Sequence, residues 1–432
     1  MSLIRKLNIN TRKLFSAIFL GLLGRFISAV VPLFLFPSMQ EHLGPVLFGT
    51  WLTMMTLYTA ASFLDFGIGN AATTRLSEAF GRRDLKAIRR ISAEAYSALL
   101  AISALLLLCL AVSYVLAPSA MFNFVHTGQA GVVAAVFAAL FLSFPGGMIW
   151  RLLQAQQKFI SSQLAQSSGP LLAWPLCLWA IDAGFSPLGV VTLYALTNPL
   201  VLASWTLAYF ARHPHSRPDF RCLHWSSLRD LSQLGSAFFA LSIFTLVGMN
   251  ADNIVIAANA GAEVVAEYGV PAKLGSILML LVGTMFMPLW PLFGSALAQN
   301  DSVWLRTTIL RMSVFGAGSV MILGIFLTIF TEKIIYLWMH SSFPNQQCIL
   351  LGWTATATVI ALTAPYNMLL NASGKVRQQI CPWCLFVVIS ILLKVIFINE
   401  NNSWIAPWIT ALIYLIIITY PIIVMARGVV KK

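Results

Sequence analysis

Arg25, Asp252, Lys273 and Lys394 stand inside long apolar stretches, and Asp65 ends another. Ionisable groups are costly away from water, so those found there mark a function or a water-filled cavity. Arg25 lies about ten residues into its stretch, roughly 15 Å deep at the helical rise, too far to snorkel to either surface. Gly21, Arg25, Ser28 and Pro32 recur at spacings of four, three and four and share one helical face, which turns Arg25 to protein or water rather than lipid. Gly269, Lys273, Ser276 and Gly283 make a comparable stripe. Such cations suit an anion: arginine grips a phosphate through two parallel N–H bonds, and lysine offers a mobile point charge. A cavity less polar than water strengthens both contacts. Ser242, Thr245 and Asp252 share a face with Asn250 and Asn253 nearby, and Asp252 is the counter-ion expected for Lys273 or Arg25. A carboxylate beside a released cation can gain a proton, which makes Asp252 the candidate for ion coupling. Lys394, near the end of its stretch, can snorkel and is a further candidate for anion contact. Asp65 reads as a cap or as a counter-ion for Arg75 or another basic loop residue. The plain alternative for all of these charges is pairing that only holds helices together.

The elements that must position these residues are membrane spans. The 432 residues are 59% apolar and 9% charged, with a mean hydropathy of +0.83. A soluble globule carries about a quarter charged residues, so that class is excluded. Stretches of roughly 20 apolar residues, enough to cross about 30 Å of hydrocarbon, predict twelve helices near 14–37, 46–67, 93–117, 129–150, 161–183, 187–211, 233–257, 266–292, 312–331, 347–369, 379–398 and 404–425. The fold class is an all-α integral membrane protein. No soluble domain fits between the spans, and the longest gap, 212–232 with His213, His215 and His224, reads as a short basic connector. The first stretch exceeds a signal-peptide core and lacks a cleavage site after it, so it reads as an uncleaved span.

Of the 27 Lys and Arg, all but Arg25, Lys273, Lys333 and Lys394 fall at every second junction. The opposite junctions hold Lys333 beside Glu41, Asp182, Glu263, Glu332 and Glu400. Short loops rich in Lys and Arg stay cytoplasmic, so both termini are expected inside. The net charge of +13 is then a topological signal, and with no basic patch interleaved with aromatics a nucleic-acid partner is not expected. Thr73–Ile91 mixes five arginines with Leu76, Phe80, Leu85 and Ile88; an interfacial helix on anionic lipid and a solvated cytoplasmic turn both fit it. Cys381 and Cys384 form the one CxxC, expected as buried apolar thiols, and no phosphate-binding glycine loop is present for ATP. Trp51, Trp290 and Trp353 could stack on sugars, although Trp at span ends is more often an interfacial anchor, and no role is assigned to them; Lys333 with Glu332 reads as an interface anchor. No metal and no cofactor is expected.

His42-Leu43-Gly44-Pro45-Val46-Leu47-Phe48-Gly49-Thr50-Trp51, followed by Asp65-Phe66-Gly67-Ile68-Gly69-Asn70-Ala71, resembles the N-terminal signature of polysaccharide transporters. Asn250-Ala251-Asp252-Asn253, then Gly261, Tyr268 and Lys273, agree in the second half. That family, of O-antigen and related lipid-linked oligosaccharide flippases, shares a superfamily with the multidrug and toxin extruders. The resemblance implies two six-helix lobes around a central cavity, 1–211 and 233–432, joined by the connector 212–232. Gly44-x4-Gly49 and Gly261-x7-Gly269 loosely echo one another, as parallel repeats would.

The implied substrate is a polyprenyl pyrophosphate bearing a short sugar chain, for O-antigen or exopolysaccharide in lipopolysaccharide biosynthesis. It would be turned from the cytoplasmic to the outer leaflet of a bacterial inner membrane by alternating access, with Arg25, Lys273 and Lys394 on the substrate and Asp252 and Asp65 as coupling or counter-ion groups. Membrane lipids and transient contact with polysaccharide assembly proteins are the implied partners, and no enzymatic activity is expected. A cation exporter of the same superfamily is the first rival, although it would want a carboxylate where this chain has Arg25. A membrane polymerase or ligase is the second, although the outer loops near 118–128 and 332–346 are short for one. Arg25→Ala is expected to abolish transport at unchanged membrane abundance, while Arg25→Lys keeps part of it; complementation scored against immunoblots of membranes checks both.

Overall fold

A computed structural model of the chain describes Gly24, Leu35, 38–44, 47–48, Trp51, 54–55, 62–116, 130–340 and 342–430. Arg25 and most of the first two expected spans lie outside these residues. The described residues form helices and connecting turns, with no strand among them.

A short 3-10 turn, Ser62–Asp65, leads into α1 (Ile68–Arg82), followed by α2 (Leu85–Leu116), α3 (Ala130–Ala155), α4 (Phe159–Asp182) and α5 (Pro187–Arg212). Then come α6 (Trp225–Ala260), α7 (Ala262–Phe286), α8 (Leu289–Ala298), α9 (Ser302–Ile329) and α10 (Thr331–Met339). α11 (Gln346–Ala372), α12 (Arg377–Phe397), α13 (Ala406–Ile413) and α14 (Tyr420–Val430) complete the chain, with a π turn at Tyr414–Thr419 between the last two. Among the described residues, nine helical segments are long and apolar enough to span a membrane. α4 is not one of them: Ser161, Ser162, Gln163, Gln166, Ser167 and Ser168 make its first half polar. Those groups bind neighbouring segments instead. Ser162 donates to the Trp150 carbonyl at 2.9 Å, Ser167 to that of Gly24 at 3.3 Å, and the Trp205 indole donates to Ser168 at 3.1 Å. In hydrocarbon such bonds have no water to compete with them.

The chain divides into two compact units between Ser236 and Ala237, a point inside α6. In the first unit α3 packs on α2, α4 and α5. Leu35, Met39, Trp51, Met54, Val133, Val136, Cys177 and Val190 form its core. Trp51 is fully buried and edge-on to Tyr194 at 5.3 Å, so it is a core residue and not an interfacial anchor. The stretch Thr73–Ile91 is not one free interfacial helix but two helix ends joined by an exposed turn, Arg82–Lys86. It is the end of α1, a sharp reversal at Arg83 (φ 57°) and the start of α2, with Leu76 and Ile88 buried against protein. Arg89 ties the connector to it, donating to the Arg217 carbonyl and to Asp219.

In the second unit α11 is central, packing on α7, α8, α9, α13 and α14. Its neighbours approach closely because glycines face them: a Cβ on Gly324 of α9 would strike the Thr354 side chain, and one on Gly316 would strike the Phe286 ring. Trp290 is buried in this unit and stacked on Phe238 at 5.1 Å, so it is a core residue. Cys381 is exposed rather than buried. It heads an exposed apolar stripe on α12 that continues through Leu385, Val388 and Leu392, the lipid-facing composition expected of a span. Gly324→Leu is expected to destabilise the α9–α11 contact by about 1–3 kcal/mol, seen as a lowered midpoint of thermal unfolding in detergent.

Candidate functional site

Two ion-pair clusters stand out, one in each unit. In the first, the chain turns from Ser62–Asp65 into α1 through Phe66 and Gly67, both at positive φ (49° and 71°). The Asp65 carboxylate accepts the Gly67 amide at 2.9 Å with Oδ1. With Oδ2 it accepts the Arg151 guanidinium of α3 at 3.0 Å. Arg151 also donates to Asn70 Oδ1 at 2.5 Å and lies over the Trp150 ring, 4.5 Å from its centroid. A Cβ on residue 69 would run into that guanidinium. The stretch from Asp65 to Asn70 is thus a socket for one arginine: Asp65 supplies charge, Gly67 the left-handed turn, Gly69 the clearance and Asn70 a second acceptor. Of the basic loop residues expected as partners for Asp65, the one that pairs with it is Arg151, which projects from the end of α3 into the socket.

In the second unit Asp252 of α6 is almost fully buried. Its Oδ1 accepts Lys394 Nζ of α12 at 2.5 Å and its Oδ2 accepts the Tyr268 hydroxyl of α7 at 2.6 Å. Lys394 has no exposed surface. The expectation that Lys394 snorkels is therefore corrected, and the described counter-ion of Asp252 is Lys394 rather than Lys273; Arg25, the other cation expected there, lies outside the described residues. Asn259, two turns further along α6, donates to the carbonyls of Val395 at 2.8 Å and Ile398 at 3.4 Å and closes the end of α12. Val255, Ile256, Tyr268, Ile349 and Ile398 pack around the cluster and keep it dry. Lys273 is separate. It sits on the exposed side of α7 with Ser276, Ile277 and Leu280, and no described carboxylate pairs with it.

The structure thus brings Asp252 and Lys394 together, pairs Asp65 with Arg151, leaves Lys273 exposed, and does not reach Arg25. Arg151 and Tyr268 are the cluster members that the charge pattern alone did not single out. Arg151 passes for one more basic loop residue because it follows a span, and Tyr268 for an aromatic in an apolar run. A third pair, Glu94 with Arg90 at 3.7 Å, buries a carboxylate on α2. The first unit also holds a cavity of about 270 Å³ whose polar lining, Gln166, Asn198 and Tyr194, carries no charge. Among the described residues no cluster of His, Cys, Asp and Glu could hold a metal ion.

Residues 14–297 match the family model described as polysaccharide biosynthesis protein. The chain belongs to that family. No curated protein matches its sequence. Among solved structures, MATE in the bent conformation is similar at a TM-score of 0.80 and 14% identity, covering 98% of this chain and 95% of that one. The Vibrio cholerae MATE transporter VcmN in the bent form gives 0.79 and 14%, covering 98% of each chain. An outward-facing multidrug resistance MATE family transporter of the MOP superfamily gives 0.77 and 15%, over 97% of this chain and 96% of that one. At such identities the likeness is one of fold. This family member has a MATE-like fold and, with its long apolar helices, is a multi-pass membrane protein.

The buried pair sets the energetics of the second unit. Removing one partner leaves the other charge uncompensated, at about 3–5 kcal/mol, whereas removing both can be nearly neutral. Asp252→Asn and Lys394→Met are each expected to lower the unfolding midpoint strongly and the double variant to recover most of the loss, read by differential scanning fluorimetry in detergent.

Proposed function

We propose that this transporter is a flippase for a polyprenyl-pyrophosphate-linked oligosaccharide, moving it from the cytoplasmic to the outer leaflet of a bacterial inner membrane with both termini in the cytoplasm. The observation that carries the reading is the sign of the charge left over inside the membrane. Asp252 is neutralised by Lys394, while Lys273 has no described carboxylate partner and Arg25 adds a second cation from the sequence. An excess of cations suits a pyrophosphate and repels an organic cation. Membership of a polysaccharide biosynthesis family adds the sugar. The MATE-like fold is equally that of drug exporters, and the multidrug reading is kept for that reason, but the carboxylate deepest in its helices, Asp252, is already neutralised by Lys394.

In this reading Lys273 and Arg25 meet the pyrophosphate, and the Asp252–Lys394–Tyr268 cluster is the coupling element. Protonation of Asp252 would free Lys394 for the anion, and Tyr268 would keep the carboxylate oriented. Expelling two negative charges from an inside-negative cell is favoured by roughly 2.3 kcal/mol per charge per 100 mV, so no ATP is required. The protein catalyses no covalent chemistry. Complementation of a flippase-deficient bacterium tests the reading. Wild type is expected to restore surface polysaccharide and Lys273→Ala to lose it at equal membrane abundance. Failure of wild type across several sugar backgrounds, together with lowered accumulation of cationic drugs, would transfer the assignment to an exporter.

A further inference from the structure

Where α9, α11 and α14 meet, in the second unit, a cavity of about 260 Å³ is bordered by Arg306, Ile309, Tyr366, Ala426, Arg427 and Val430. Its two arginines come from different helices and both are exposed. Arg306 donates one N–H to the Val430 carbonyl at 3.3 Å, which leaves most of its donors available. No described carboxylate pairs with either guanidinium. Asp301, the acid nearest to them in sequence, caps α9 by accepting the Trp304 amide at 3.1 Å. Segments 298–312, 365–380 and 420–430 carry Arg306, Arg311, Lys375, Arg377 and Arg427 against Asp301 alone. The remaining wall, Ile309, Ala426 and Val430, is apolar.

We propose that this cavity binds the phosphate of a membrane lipid. Two guanidiniums can clamp phosphate oxygens by charge-assisted bonds, Tyr366 can add a hydroxyl, and the apolar wall takes the first carbons of the lipid, which a free phosphate lacks. Basic pockets at the ends of spanning helices are suited to such head groups. The phosphate can belong to a bulk anionic phospholipid or to a polyprenyl carrier. The inference goes beyond the flippase reading and does not depend on it.

The test is lipid retention by the full chain, measured by native mass spectrometry with phosphatidylglycerol and phosphatidylcholine as probes. Wild type is expected to prefer phosphatidylglycerol about tenfold, the size of one charged hydrogen bond, and Arg427→Gln to lose most of that preference. Arg427→Lys should retain part of it. Arg427→Gln leaves the Arg306–Val430 bond in place, so it decides the matter even if Arg306→Gln unfolds. Displacement of phosphatidylglycerol by polyprenyl pyrophosphate but not by inorganic pyrophosphate assigns the site to the carrier; no displacement by either assigns it to bulk phospholipid. Equal retention of the two probes by wild type, displacement by inorganic pyrophosphate alone, or an unchanged preference in Arg427→Gln overturns the proposal. Because transport is not read, failure here leaves the flippase assignment standing, and failure of complementation leaves the lipid site standing.

Discussion

Hydrocarbon offers no hydrogen-bond partners, so each polar group carried into it must bring its own. That constraint organises what is seen in both units. Asp252 and Lys394 meet at 2.5 Å although 142 residues separate them in sequence, and Tyr268 takes the second carboxylate oxygen. Three helices are thereby held in one register by a single carboxylate. In the other unit the same requirement is met by Arg151, which spreads its donors over Asp65 and Asn70. The serines of α4 and the Thr363–Thr419 contact at 2.9 Å follow the same logic with neutral groups, as does the π turn, where Thr419 bonds back to the Tyr414 carbonyl.

The cations therefore fall into three physical kinds. Most lie at helix ends, where they cost little and set orientation. Arg151 and Lys394 are each bound to a carboxylate and position their helices. Lys273 alone among the described intramembrane cations stays exposed and without such a partner, which is why the functional argument leans on it rather than on the buried pair.

Much of this was legible in the sequence, because apolar runs record the spans directly. The stretches near 187–211 and 347–369 correspond to α5 at Pro187–Arg212 and α11 at Gln346–Ala372. Gly44 and Gly261, the first glycines of the two echoing turns, both have positive φ, 71° and 90°. The pairing of charges was not legible. Periodicity places a residue on a face of its own helix and is silent about which helix that face meets, so Asp252 could not be matched with Lys394. The same blindness hid Arg151 among loop cations and made Cys381 read as buried, because a protein-facing and a lipid-facing side are equally apolar.

The two clusters sit at particular ends of their helices. Asp65 lies at the entry to α1 and Arg151 at the exit of α3, whereas Asp252 and Lys394 lie near the exits of α6 and α12 and Tyr268 near the entry to α7. A bundle pinned at one end behaves like a clothes-peg: it resists shear and separation at the pin and yields at the open end. Each ionic contact therefore resists shear between its own helices at that end, and removing it would leave those helices held by apolar contact there.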